Sequence, residues 1–120
     1  MEPDQPVLRV MEQTTGDAIV VTVQGEIDIA TADLLSDRLE EICRRGLSVT
    51  VDLRHVSFLD CVGLQLLLAV HADSVMRGCH VDFIQGPPAV ERLFALTGTL
   101  ATLPFIVPGA AATAVAAAST

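Results

Sequence analysis

Apolar and polar positions alternate along some stretches of the chain and recur at helical spacing along others. Both patterns meet in Val49 to Val70, VTVDLRHVSFLDCVGLQLLLAV. Val49, Val51 and Leu53 fall on one side and Thr50 and Asp52 on the other, which predicts a strand with one covered face. Asp60 follows Phe58 and Leu59 and suits a helix N-cap, because its carboxylate can accept from free backbone N–H groups. From Val62 the pattern turns helical and runs to about Arg77, where Gly78 can close it. A strand, a tight loop and a helix with an acid at the junction mark where function is expected.

The remaining stretches extend this arrangement. Val7 to Met11 predicts a short strand, Thr14-Thr15-Gly16-Asp17 carries turn chemistry, and Ala18 to Gln24 predicts a second strand with Ile19, Val21 and Val23 on one face. Thr31 to Arg45 reads as an amphipathic helix. Ala32, Leu35, Leu39, Ile42 and Cys43 share one side, opposite Asp33, Asp37, Glu40 and Arg44. Thr31 is the expected N-cap and Gly46 the stop, with acids early and Arg44 and Arg45 late, as the helix dipole favours. His80 to Ile84 alternates again, with Val81 and Phe83 inward. Pro88 suits the first turn of a helix that runs through Ala89 to Leu96 and buries Val90, Leu93 and Phe94. Leu103 to Val107 predicts a last short strand.

The order strand, strand, helix, strand, helix, strand, helix, strand defines the fold class. One-sided alternation places the helices on a single face of the sheet and leaves the other polar. The opening strand–turn–strand is unusual for a purely parallel sheet. The expectation is an α/β, two-layer domain: a mixed sheet with helices packed on one face, monomeric, spanning residues 7–107. Residues 1–6 form a polar, proline-containing tail, and residues 108–120 an Ala-rich mobile tail.

The helix after Asp60 departs from simple amphipathicity. Val62, Leu64, Leu66, Leu67, Leu68 and Val70 spread nearly all round the wheel, interrupted early only by Gln65. Two readings stand: packing against neighbouring helices, or an outer side, Leu64 included, presented to a partner.

Composition narrows the function classes. At 120 residues the chain holds one domain with a single core. It has no Trp or Tyr and few Phe, so that core is aliphatic. The net charge of -8, with all seven positive residues Arg, argues against direct contact with nucleic acid. No apolar run reaches membrane-spanning length and no signal-like segment opens the chain, so no membrane insertion and a cytoplasmic location are expected. Cys43, Cys61 and Cys79 are too widely spaced for a zinc site and read as reduced thiols.

Enzymatic readings fare poorly. A nucleophilic Cys61 needs a base, and His71 lies ten residues along the same helix, roughly 15 Å away at a rise of about 1.5 Å per residue. Nothing fixes His55 near the thiol, and the three histidines are scattered. There is no Gly-rich phosphate loop after a strand. No catalytic residue, cofactor or metal is expected.

The motif Phe58-Leu59-Asp60-Cys61-Val62-Gly63-Leu64 resembles the signature of STAS-domain anti-sigma factor antagonists. That signature is a hydrophobic pair, Asp, two small hydroxyl residues, Gly and a hydrophobic residue. Gly25-Glu26-Ile27-Asp28 with Ala30-Thr31-Ala32 resembles a second family segment, and Pro88-Ala89-Val90 through Leu96-Thr97-Gly98 a third. The resemblance covers most of Val7 to Ile106. It implies a non-catalytic protein that binds a kinase-like anti-sigma factor and so releases a sigma factor. The implied contact surface is Asp28 and Thr31 at the first helix, with Ser57, Asp60, Cys61, Val62, Gly63 and Leu64 around the second. In phospho-regulated members the residue before the Gly is the Ser that the anti-sigma kinase modifies. Here it is Val62, so no phosphorylation is expected at that position. This departure also supports an alternative, a STAS-like non-catalytic subunit of another assembly, such as a stress-signalling scaffold or a lipid-transport complex. A receiver domain, similar in size and acidity, would need an acidic pair after the first strand and a Lys before the last helix, and the chain has neither.

Overall fold

The computed structural model of the chain describes residues 8–99 and 102–106. The described elements are β1 (Leu8–Thr15), β2 (Ala18–Ile27), α1 (Ala32–Arg44), β3 (Ser48–Leu59), α2 (Cys61–Met76), β4 (Val81–Ile84), α3 (Pro88–Leu96) and β5 (Phe105–Ile106). The element order matches the sequence pattern. β1, β2 and β3 run several residues beyond their expected ends, while β5 is shorter. The expected tails and the strand ends Val7 and Val107 lie outside the described residues.

The five strands form one sheet in the order β1-β2-β3-β4-β5. β1 pairs antiparallel with β2, and β2, β3, β4 and β5 pair parallel. The β1–β2 hairpin closes through Gly16-Asp17 between the paired Thr15 and Ala18, and Gly16 takes φ 59°, as tight hairpin turns require. Each later helix carries the chain from one parallel strand to its neighbour in the same direction. Because such crossovers share one hand, all three helices land on one face. Ile19, Val21, Val23, Val49, Val51, Leu53, Val81 and Phe83 meet Leu35, Leu39 and Ile42 of α1, Leu64 and Leu67 of α2, and Val90 and Phe94 of α3 in one core. This is the two-layer mixed α/β domain that the patterning predicts.

The sheet is irregular at one place. β3 has 12 residues against 10 in β2, and the register slips between Thr22 and Gln24 and again between Gly25 and Glu26. Each slip is a β-bulge, which adds a residue to one strand and reverses which face the following side chains occupy. Strict alternation from Val49 would send His55 and Ser57 into the core. The bulges instead bury Val56 and Leu59 and leave His55, Ser57 and Phe58 exposed. Asp52 sits beside the first bulge. Its carboxylate accepts from Arg54 N–H at 3.0 Å, from Nε at 3.0 Å and from Nη2 at 2.8 Å.

The all-round apolar character of α2 resolves mainly as packing. Gly63, Leu64, Leu67 and Ser74 are buried. On the flank, Leu66 and Val70 line a shallow groove against Leu39 and Cys43 of α1. Leu64 is 3% exposed, which corrects the expectation that its side chain faces a partner.

Candidate functional site

Because β2 and β3 are adjacent and parallel, their C-terminal ends lie side by side, with Ile27 paired to Leu59. The loops that follow, into α1 and α2, therefore meet at one edge of the sheet. The expected site residues sit on these two loops and the helix starts beyond them, except Ser57, which lies near the end of β3.

Asp60 is the N-cap of α2, with extended backbone, and its Oδ1 accepts from Gly63 N–H at 2.8 Å. Its own N–H donates to the Ile27 carbonyl at 3.3 Å, tying the second loop to the end of β2. Gly63 faces the same carbonyl. A Cβ built on Gly63 would lie 2.5 Å from Ile27 O and 2.7 Å from Leu59 Cδ1, so only a residue without a side chain lets α2 start this close to β2. Gly63 and Leu64 thus shape the site from within and present no side chain at its surface.

The β2–α1 loop is held by a reciprocal pair. Asp28 Oδ1 accepts from the N–H groups of Ala30 at 2.9 Å and Thr31 at 3.1 Å. Thr31 Oγ1 donates to Glu26 O at 2.7 Å and accepts from Asp28 N–H at 3.0 Å. Thr31 occupies the N-cap position of α1 yet makes no side-chain cap bond, and its backbone is already αR. The expectation of a capping Thr31 is corrected: its hydroxyl turns back toward β2, because Asp28 already serves the free N–H groups of the turn. At 6% exposure Thr31 braces the loop and is hidden from a partner.

What the edge exposes is different. Ser57 and Cys61 are exposed, and Val62 is 39% exposed at the first turn of α2. Sequence patterning missed four large apolar residues on the elements around them: Ile29, Leu34, Phe58 and Leu96 are 77%, 54%, 48% and 79% exposed. Phe58 and Leu96, with Ser57, Ala89 and Leu93, line a groove of about 280 Å³ between the end of β3 and α3. Phe58 was legible only as half of a hydrophobic pair, since the bulge that turns it outward depends on pairing with β2. No group of three or more His, Cys, Asp or Glu able to hold a metal ion occurs among the described residues. None of the described helices is long and apolar enough to cross a membrane.

The fold and this paired-loop edge define a STAS domain, and the chain belongs to that family: the family model described as "Mlab, STAS domain" matches residues 10–104. Anti-sigma factor antagonists are among the solved and curated proteins it resembles. An anti-sigma factor antagonist from Mycobacterium paratuberculosis is 30% identical, with 94% of this chain and 96% of that one covered and a TM-score of 0.77. The anti-sigma-B factor antagonist of Bacillus subtilis is 28% identical over 80 residues, 67% of this chain and 73% of the relative. Osmosensory protein A of Mycobacterium tuberculosis is 29% identical over 76 residues, 63% of this chain, which spans only 48% of that relative.

Proposed function

We propose that this chain binds a kinase-like anti-sigma factor through the edge formed by the starts of α1 and α2, and thereby frees a sigma factor. Ser57, Phe58, Cys61 and Val62 offer the contact surface, while Asp28, Thr31, Asp60, Gly63 and Leu64 hold its shape. The protein acts as a binding module, not as an enzyme, and in the cytoplasm, where sigma factors work. The observation that carries this reading is the geometry at Asp60-Cys61-Val62-Gly63: a capped helix start whose exposed second residue occupies the position of the family's phosphoacceptor. The antagonist relatives support the same partner class.

Val62 has no hydroxyl, so the docking edge is not switched by phosphorylation at this position. Phosphorylation adds nearly two negative charges, which a helix N-terminus tolerates but an apolar docking surface does not. The test is binding of the purified chain to candidate anti-sigma kinases, with and without ATP, followed by intact mass measurement. Binding that is indifferent to ATP, with no added phosphate, is the expected result, and Val62→Ser should gain both phosphorylation and ATP-dependent release. Phosphate on the unaltered chain at Ser57 would overturn the unswitched reading, and the absence of any anti-sigma partner would overturn the function.

A second reading, a subunit of a stress-signalling assembly, draws support from the osmosensory relative. It predicts that the same edge docks a non-kinase partner.

A further inference from the structure

β3 outruns its neighbour on one side. It pairs with β2 as far as Leu59, but with β4 only from Val49 opposite Val81 to Asp52 opposite Ile84. After Ile84 the chain passes so close to β3 that a Cβ on Gly86 would lie 2.9 Å from Leu53 O, and Pro87 and Pro88 then turn it into α3. The edge of β3 from His55 to Leu59 is left without a strand beside it. Half of the N–H and C=O groups of a parallel strand point away from its one partner. Among the described residues this stretch makes no backbone bond outside the β2 ladder. The free edge borders the groove of about 280 Å³ whose other wall is α3, with Ala89, Leu93 and Leu96. An open strand edge beside an exposed apolar wall is a template for one more strand.

We propose that the chain's own segment after β5 occupies this groove, with Thr113-Ala114-Val115 added as a short strand parallel to the free edge of β3. Reach and direction fit. Ile106 is level with Ile84, and Ile84 with Asp52, so the chain leaves β5 two strand spacings, about 10 Å, from β3. It leaves toward the same end of the sheet as Phe58, because β3, β4 and β5 are parallel. The six residues 107–112 span up to about 20 Å when extended, enough to cross and climb to the level of Phe58. The chemistry fits as well. Residues 107–120, VPGAAATAVAAAST, carry no charge, so none is desolvated on entry. Their small side chains suit a narrow groove, and Thr113 and Val115 supply the β-branched positions that a strand favours. A second copy would instead bring its own net charge of -8 against the first. Docked there, the segment covers Phe58, and an anti-sigma partner must displace it. That consequence rests on the function proposed above, whereas the docking itself does not.

Amide hydrogen exchange of the full chain without any partner, read residue by residue by NMR, tests the docking. The amides of Thr113 to Val115 should exchange at least about tenfold more slowly than an unstructured chain, at every protein concentration. Ala114→Pro removes a backbone donor, and Leu96→Glu places a charge on the groove wall. Each should return these amides to unstructured rates while Val21 and Val23 in β2 keep their protection, which shows that the domain stays folded. Unstructured rates in the unaltered chain, protection that fades on dilution, as a second copy would give, or protection that survives Leu96→Glu would each overturn the proposal. Ala114→Pro should also tighten binding to an anti-sigma kinase several-fold. Protected amides with no such partner would leave the docking standing and sink only the function, and a bound partner with unprotected amides would do the reverse.

Discussion

A side-chain carbon on Gly63 would stand 2.5 Å from the carbonyl oxygen of Ile27, so the start of α2 rests directly on the end of β2. The same carbonyl receives the Asp60 N–H at 3.3 Å. Gly63→Ala forces that contact open. The expected cost is roughly 1–3 kcal/mol, the range for overpacking a tight interior. Urea unfolding measures it, and an unchanged midpoint would show that the helix shifts freely.

Asp60 caps α2 through Gly63 N–H at 2.8 Å. Asp60→Ala should cost about 1 kcal/mol, the usual value of a lost carboxylate cap. Asp60→Asn should recover most of it, because an amide oxygen accepts the same bond. Equal loss in both variants would assign the effect to charge at the helix N-terminus instead of the cap.

Leu64 and Phe58 exchange the roles that patterning suggests. Leu64 is 3% exposed and Phe58 is 48% exposed. Leu64→Asp buries an unpaired charge and should destabilise by roughly 3–5 kcal/mol. Phe58→Asp should leave stability within about 0.5 kcal/mol, as surface changes usually do. It should weaken partner binding by about tenfold or more, the loss expected of an interface anchor. Circular dichroism melts and a binding titration on the two variants separate fold from interface.

Asp52 is buried, which works against its charge, but hydrogen bonds from the Arg54 side chain and N–H and the Arg54 charge prevail, holding its carboxyl below its ordinary 3.8. A folded value below the unfolded one favours the native state. That contribution is complete above the unfolded value and disappears as pH falls through the folded one. Wild-type stability should therefore drop more steeply than that of Asp52→Asn as pH falls below about 4, where carboxyls in unfolded chains take up protons. Arg54 is half exposed, so salt should shrink the difference. Parallel acid-unfolding curves in low and high salt would reveal it.

The sequence by itself determined the element order, the single helical face and the position of the Asp60 junction at the candidate edge. Each follows from local periodicity: Val49, Val51 and Leu53 alternate whatever they pair with, and Asp60 before a helical pattern is a cap in any fold. The roles within that edge were decided by the tertiary structure. Ser57 and Phe58 turn outward because two bulges in β3 reverse its phase, and a bulge exists only against the register of β2. Thr31 stops acting as a cap because Glu26 O and Asp28 lie beside it at the end of β2. Leu64 becomes core because α2 lies flat on the sheet, and Leu66 and Val70 find cover only because α1 packs alongside. Periodicity records which residues are apolar. Which of them meet water depends on the neighbours that long-range pairing brings to each face.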